Sequence, residues 1–448
     1  MTPARIVALA TFLYAAIFFA LGVDRYATFH SGADLGLFTQ AIVNYAHGMY
    51  DTREGWSHFA YHFSPILYLC VPFVLAAHSA LALVLIQSAA TAAIAPALYL
   101  IARRRTSDRN AAVLACIALL YPPLQGVTFT DFHEVGFAPA AIAWLLWAID
   151  TRRFAVAYVL LAVVLSIKED MAIGMAWLGF VGAIYFARRR ERAATTFCLT
   201  AMVLSLITFA AFFLLIAPAA GGGAAWRPGW RYDWLGGTRG EPGALVPRLT
   251  YLLEAFAPLA FLPFRSRVLL LALPGFAEVL TSRIPLAYTM GQHYPGAWAP
   301  FVLIAFVIAA AKLGRRWAYV APAVLCALTL VFFNPLHLGH FLGVPNERDA
   351  ALNAMIARVP QDASVGSFDE VYAHMGFYPR AQIGMRGDPR FAIADADYAS
   401  SAWDATILPR LSAAVASGRY RPIAAADGVT LFERRLLPCR PCCSSGCR

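Results

Sequence analysis

The chain has 448 residues, is 60% hydrophobic and 14% charged, and carries a formal charge of +10. A soluble domain carries about 25% charge, so the composition excludes an ordinary soluble protein. It excludes a nucleic-acid binder too, because the arginines cluster in short loops between hydrophobic runs, as in a multi-pass membrane protein with basic cytoplasmic loops.

Taken in order, the hydrophobic runs predict an α-helical polytopic membrane domain over 1–334 with about eleven spans. The N-terminal run is too long for a signal peptide and Val23-Asp24 offers no small-residue cleavage site, so 6–23 reads as a retained first span with Arg5 inside. A long polar loop, 24–63, follows outside. Residues 64–77 are apolar but short and hold Pro65 and Pro72, which suits an interfacial or re-entrant helix. Further spans are read at 81–101, 111–121, 138–149, 154–167, 171–186, 194–217, 249–264, 268–280, 298–311 and 317–333. In this alternation the strong arginine clusters fall inside and the mixed acid and histidine loops fall outside.

After Asn334 the character changes. Residues 346–435 mix polar and apolar positions and read as a small soluble α/β module. A helix is expected over 346–359, strands over 363–368 and 429–434, and a helix over 408–417 stopped by Gly418. Residues 436–448 form a Cys-rich tail. Cys439, Cys442, Cys443 and Cys447 lack an accompanying histidine, so a disordered tail is preferred to a zinc site.

The candidate chemistry lies in the outer loops. Asp34 stands between Gly32 and Gly36 at the start of an amphipathic helical pattern. It suits a helix cap, or a proton acceptor for a hydroxyl nucleophile. His58 and His62 are four apart, yet no glutamate lies between them and Pro65 starts a helix too late to pair them. They read as interfacial anchors and no metal site is assigned. Asp131, His133 and Glu134 concentrate ionisable groups beside the bilayer. Asp131 and Glu134 would share a face if helical. Lys168-Glu169-Asp170 interrupts an apolar run, as a hairpin turn, as a buried lysine paired with one of the carboxylates, or as a point charge for a phosphate. Arg227 and Arg231 lie among Trp230, Tyr232 and Trp234, which suits an interface anchor or a sugar and lipid-phosphate platform. Gln292, His293 and Tyr294 form a further outer loop.

Four segments, Asp34-Leu35-Gly36-Leu37-Phe38-Thr39-Gln40, His58-Phe59 with His62-Phe63-Ser64-Pro65, Asp131-Phe132-His133-Glu134 and Lys168-Glu169-Asp170, together resemble the bacterial membrane-protein family called domain of unknown function 2079. The segments 359–365 and 396–398 are similar to that family's C-terminal module. The layout also resembles the C-type glycosyltransferases. It departs from them in lacking a second acid beside Asp34 and in reading His-Phe-Ser-Pro where they have His-Pro-Pro.

That resemblance implies a bacterial inner-membrane enzyme with its N-terminus cytoplasmic and its C-terminal module periplasmic. The donor would be a polyprenyl-phosphate-linked sugar and the acceptor an envelope component. Asp34 would be the base. Asp131 and Glu134 would orient the acceptor or hold a divalent cation. His58, His62, His133, Glu169, Asp170, Gln292, His293 and Tyr294 would contact substrate, and Lys168, Arg227 or Arg231 would neutralise the lipid phosphate. The alternatives are a transporter or flippase of a lipid-linked substrate, which calls for ionisable groups in mid-span, and a non-catalytic scaffold.

Overall fold

The computed structural model describes residues 1–221, 245–395 and 407–435. Arg227, Arg231 and their aromatic neighbours, the 396–398 segment and the Cys-rich tail fall outside these residues. The protein is mostly helical, with a small C-terminal sheet. Among the described residues, four helices are long and apolar enough to cross a bilayer: α1 (Pro3–Ala27), Leu81–Ala102, Met171–Arg188 and Arg192–Ala220. A fifth is available if Asp108–Leu119 and Pro122–Phe129, bent by 54°, count as one span. The helix Asp108–Leu119 ends just before Pro122 and Pro123, and these prolines start the next helix. The missing N–H of a proline costs nothing in a first turn.

Two expected spans are broken. Residues 249–264 divide into the helix Leu245–Phe256 and two 3-10 turns, Ala257–Leu259 and Leu262–Arg265. Residues 268–280 divide into a 3-10 turn, Arg267–Ala272, and the helix Leu273–Thr281. Pro258, Pro263 and Pro274 each remove a backbone donor where an unbroken span would need one. The helix Ala299–Leu313 is buried all round from Ala299 to Ala311 and forms the centre of the bundle. Large apolar side chains lie exposed on α1 and on Arg192–Ala220, among them Phe12, Ile17, Leu206 and Ile207, as lipid-facing surfaces require.

The basic loops are drawn together. Arg105 grips Asp150 through two nitrogens at 2.7 and 3.1 Å, and Arg152 pairs with Glu191. The helix Ala138–Asp150 carries Asp150 at its C-terminal end and follows directly on Glu134 at its N-terminal end. The basic cluster and the acid and histidine loops therefore sit at opposite ends of this helix.

The C-terminal sheet has five strands in the order β2-β1-β3-β5-β4: β1 (Val365–Ser367), β2 (Ala381–Ile383), β3 (Phe391–Asp395), β4 (Tyr420–Ala426) and β5 (Val429–Arg434). β1 pairs parallel with β2 and β3, while β5 runs antiparallel to β3 and β4. The helix Glu347–Ala357 opens on a capping box between Asn346 and Asp349. The helix Ile407–Ala416 ends just before Gly418, whose φ of +71° permits the turn.

This sheet unit is docked on α2 (Ala33–Val43), the helix of the first outer loop. Gln40 donates to the carbonyls of Tyr378 and Ala381 at 2.9 and 3.2 Å, and its Oε1 accepts from the Tyr372 hydroxyl at 2.8 Å and the Thr52 N–H at 2.7 Å. Gly36 lies so close to the helix Asp369–Ala373 that an added Cβ would stand 2.6 Å from the Tyr372 carbonyl oxygen.

Gly36→Ala should therefore destabilise this docking by about 1–3 kcal/mol. In limited proteolysis and thermal unfolding of the purified protein, the sheet unit of Gly36→Ala should become more susceptible than that of Gly339→Ala, whose added Cβ meets no neighbour within 4 Å. Equal behaviour of the two variants would contradict a tight contact.

Candidate active site

The site begins with a charge turned inward. Arg25, in the last turn of α1, is 7% exposed. Its guanidinium donates to the carbonyls of His30 at 2.8 Å and Phe129 at 3.0 Å, pairs with Asp131 at 3.2 Å and lies over the Phe341 ring at 4.3 Å. The other oxygen of Asp131 accepts from the Gly32 N–H at 2.8 Å, and a Cβ on Gly32 would stand 2.7 Å from that oxygen. Asp131 thus fixes the residue on which α2 begins. The N-cap of α2 is Gly32 and Asp34 sits one residue inside the helix, so Asp34 is not the capping residue.

Asp34 pairs with Arg53 and lies 3.4 Å from His133 Nε2. Burial opposes its ionisation, but the hydrogen bond and charge of His133, together with Arg53, hold its carboxyl well below the usual range. Even so, its side chain keeps 38% exposure, against 13% for Asp131, 2% for Glu134, 6% for Glu169 and 15% for Asp170. Asp34 is the accessible carboxylate of the cluster.

His133 is held on several sides. Its N–H donates to Gln87 Oε1 at 2.8 Å, and its Nδ1 lies 2.8 Å from the Asp131 carbonyl. A carbonyl only accepts, so Nδ1 carries a proton. A second proton on Nε2 serves Asp34, making His133 an imidazolium. Burial opposes this charge, and the Asp34 contact outweighs burial and raises the pKa. The ring stacks on His293 at 3.6 Å. Burial and the His133 charge push His293 far down, so one ring of the stack is charged and the other neutral. Tyr294 stacks on the outer face of His293 at 4.2 Å. Asp34, His133, Gln292 and His293 line a polar cavity of about 100 Å³ with Arg25 and Asp131.

Glu134 points elsewhere. His133 has an extended backbone (φ −138°, ψ 142°), so neighbouring side chains diverge. The helical arrangement that would have put Asp131 and Glu134 on one face does not form. Glu134 lies 3.9 Å from Lys168 Nζ, and Asp170 lies 3.7 Å from it. Burial opposes the lysine's charge, but Asp170, Glu134, Glu169 and Glu278 together drive its pKa upward. A lysine so surrounded matches the reading of a buried residue paired with carboxylates, and not that of a free point charge for a phosphate. Lys168, Glu169, Asp170 and Glu278 line a second cavity of about 430 Å³.

The two histidines of the first loop part company. The turn His58–Ala60 is 3-10 and ends before His62. His58 is buried and stays neutral, its pKa pushed down to about 4 by burial. His62 bonds Glu169 at 2.8 Å, and the Phe63 N–H donates to the other Glu169 oxygen at 2.9 Å. Among the described residues no three His, Cys, Asp or Glu side chains form a metal-holding group.

Sequence reasoning missed Arg25, Arg53, Gln87 and Glu278. Glu278 had a visible signal, a single carboxylate in an apolar run. The arginines had none, because their partners lie 19 and 106 residues away.

This mostly helical bundle with a small C-terminal sheet shares its fold with solved structures of low sequence identity. The solved structure of ArnT from Cupriavidus metallidurans bound to undecaprenyl phosphate matches with a TM-score of 0.58 at 13% identity, over 95% of this chain and 97% of that one. The apo form of the same enzyme matches equally, at 12% identity. An oligosaccharyltransferase from Archaeoglobus fulgidus, solved with zinc and sulfate, aligns with a TM-score of 0.46 at 15% identity over 91% of this chain and 71% of that one. No curated protein matches in sequence. The chain belongs to the family described as Predicted membrane protein (DUF2079), whose profile matches residues 25–431.

The bonds to Glu169 give a test. Burial opposes ionisation, yet His62, Lys168 and the Phe63 N–H hold its pKa below the ordinary glutamate value. A depressed carboxyl pKa adds stability above the unfolded value of about 4.3 and loses it as pH falls through the folded value. Glu169→Gln should lower the thermal midpoint by several degrees at pH 7, and the gap to wild type should close as the pH is taken below 4. A gap independent of pH would rule out this ion pair as its source.

Proposed function

We propose that this protein transfers a sugar from a polyprenyl-phosphate carrier to a hydroxyl-bearing envelope acceptor at the periplasmic face of the bacterial inner membrane. The observation that carries the reading is Asp34, an ionised and accessible carboxylate at a polar cavity, in a fold shared with an enzyme solved with undecaprenyl phosphate. The proposed topology keeps about eleven crossings, several of them short or broken, with the N-terminus cytoplasmic and the C-terminal unit outside. The clustering of Arg105, Asp150, Arg152 and Glu191 at the opposite end supports that orientation.

In the proposed step the acceptor oxygen attacks the anomeric carbon as the bond to the lipid phosphate breaks. The phosphate departs with the bonding electrons, the anomeric centre inverts and Asp34 takes the acceptor proton. Arg53, which holds Asp34 in the resting site and is itself one-third exposed, is the cation available to the departing phosphate, rather than Lys168. Asp131 and Glu134, read from sequence as acting on the acceptor, become positioning residues here. Asp131 sets the start of α2 through Arg25 and Gly32, and Glu134 engages Lys168.

Asp34→Asn should abolish transfer while leaving the folded protein intact, a loss of about 10²-fold or more for a general base. The check is mass spectrometry of lipid-linked sugars and envelope glycans in a deletion strain complemented with wild type or with Asp34→Asn. Full rescue by the variant would sink the assignment. The same strain carrying Arg53→Lys should retain more transfer than one carrying Arg53→Ala, because the charge survives.

A further inference from the structure

Asp34 is capped on both of its oxygens. The Arg53 guanidinium pairs with Oδ1, and His133 Nε2 lies 3.4 Å from Oδ2. Burial alone would raise its pKa, yet these two cations hold the carboxyl well below the usual range. A carboxylate held in this way is a poor proton acceptor, since a general base works best with a pKa near the operating pH. One of the two cations has to leave before Asp34 can act.

The surroundings decide which one. The His133 ring is held by the Asp131 carbonyl at Nδ1 and by the His293 stack, and its backbone N–H is held by Gln87. Its side chain is 13% exposed, against 33% for Arg53. Arg53 stands in the turn 51–55, closed by the Gly55 N–H on the Asp51 carbonyl at 3.0 Å. The backbone of this turn is pinned. The Thr52 N–H donates to Gln40 at 2.7 Å, the Glu54 N–H donates to Asp51 Oδ1 at 2.8 Å, and the Arg53 carbonyl accepts from Arg386 at 3.2 Å. The guanidinium is therefore free to swing on its own side chain while the turn stays in place, a rotamer change of the picosecond to nanosecond class.

We propose that Arg53 is an exchangeable cap, which passes from Asp34 to the leaving phosphate of the lipid-linked donor and so switches on the base. The inference rests on the transfer reading and adds a control to the same site. The donor phosphodiester carries a single negative charge. As its bond to the anomeric carbon breaks, the phosphate oxygen keeps the bonding electrons and the phosphate gains a second charge. It then competes better for the guanidinium, whose fork fits two phosphate oxygens. Asp34, released at Oδ1, takes the acceptor proton there while His133 stays on Oδ2. Base strength thus rises as the leaving group departs, and the two halves of the step are coupled. Dissociation of the lipid phosphate returns Arg53 to Asp34 and resets the site. A donor with an uncharged leaving group would leave the cap in place.

The test reads Asp34 in the purified full-length protein without turnover. A water-soluble carbodiimide with an amine label reacts with the protonated form of a carboxyl, and peptide mass spectrometry gives the rate at Asp34. Labelling of Asp108, half-exposed at the opposite end of the bundle, normalises for reagent consumed by added phosphate. At a pH of about 6, one unit of pKa changes the protonated fraction of a carboxyl about tenfold. Farnesyl phosphate should therefore raise the Asp34 rate about tenfold, and farnesol should not. Arg53→Gln should raise it to a similar level with no ligand, and farnesyl phosphate should then add nothing. A wild-type rate that farnesyl phosphate leaves unchanged or lowers overturns the proposal, as does an unchanged rate in Arg53→Gln. An equal response to inorganic phosphate overturns the assignment to a lipid-borne leaving group. The wild-type comparison stands even if the variant fails to fold. Loss of transfer in Asp34→Asn together with a rate indifferent to farnesyl phosphate defeats this inference alone, whereas full rescue by Asp34→Asn defeats the transfer reading whatever the labelling shows.

Discussion

The end of the bundle that carries Asp34 depends on the buried pair between Arg25 and Asp131. It ties the end of the first helix to the segment that follows Pro122–Phe129, and through the Gly32 N–H it fixes where α2 starts. Breaking a buried pair by removing one partner costs about 3–5 kcal/mol, because the other charge is left stranded. Here the loss would extend beyond stability. Asp34 is two residues from Gly32, so a shift in the start of α2 moves the carboxylate relative to His133 and Arg53. The arginine is also braced by two carbonyls and an aromatic ring, which makes it a rigid post rather than a mobile surface cation.

From this post, pairing sorts the remaining charges. The extended backbone at His133 sends its ring toward Asp34 and the next side chain, Glu134, toward Lys168. His133 thus lines the smaller cavity, and Glu134 reaches the lysine that lines the larger. The smaller has a carboxylate, an imidazolium and a neutral imidazole within contact of one another, a set able to hold or pass a proton. The larger has Lys168 among acidic side chains, and apolar walls.

Much of this was legible in the sequence, and the reasons are physical. Charge beside a bilayer is expensive, so Asp34, Asp131, Glu134 and Lys168 stood out against apolar runs. Gly32 and Gly36, visible on either side of Asp34, are points of close approach: one admits Asp131, the other the Tyr372 carbonyl. What stayed hidden depends on the third dimension. Hydropathy does not report which acid meets which arginine, so Asp131 looked catalytic and Lys168 looked available. Nor does it reveal that a buried helix such as Ala299–Leu313 owes its apolar faces to protein neighbours rather than lipid. The prolines of residues 249–280 were visible, and their weight against unbroken spans was underestimated.

The C-terminal unit read as a separate module, and its contacts argue for a closer role. Gln40 lies on the same helix as Asp34 and holds both the Tyr372 hydroxyl and the Thr52 N–H on one oxygen. The residue after Thr52 is Arg53, which pairs with Asp34, and the Arg53 carbonyl accepts from Arg386 at 3.2 Å. On the other side of the unit the His374 ring is stacked between Tyr26 and Phe29 at 3.9 Å from each. The sheet unit therefore reaches Asp34 through both its helix and its cation partner. A lone polar loop of this length would sample many conformations, and ordering each residue costs about 1–2 kcal/mol. Docking a folded sheet on α2 supplies contacts that offset that cost. Residues 24–63 are thus ordered in company with the sheet, and the C-terminal unit and the helical bundle form one packed structure.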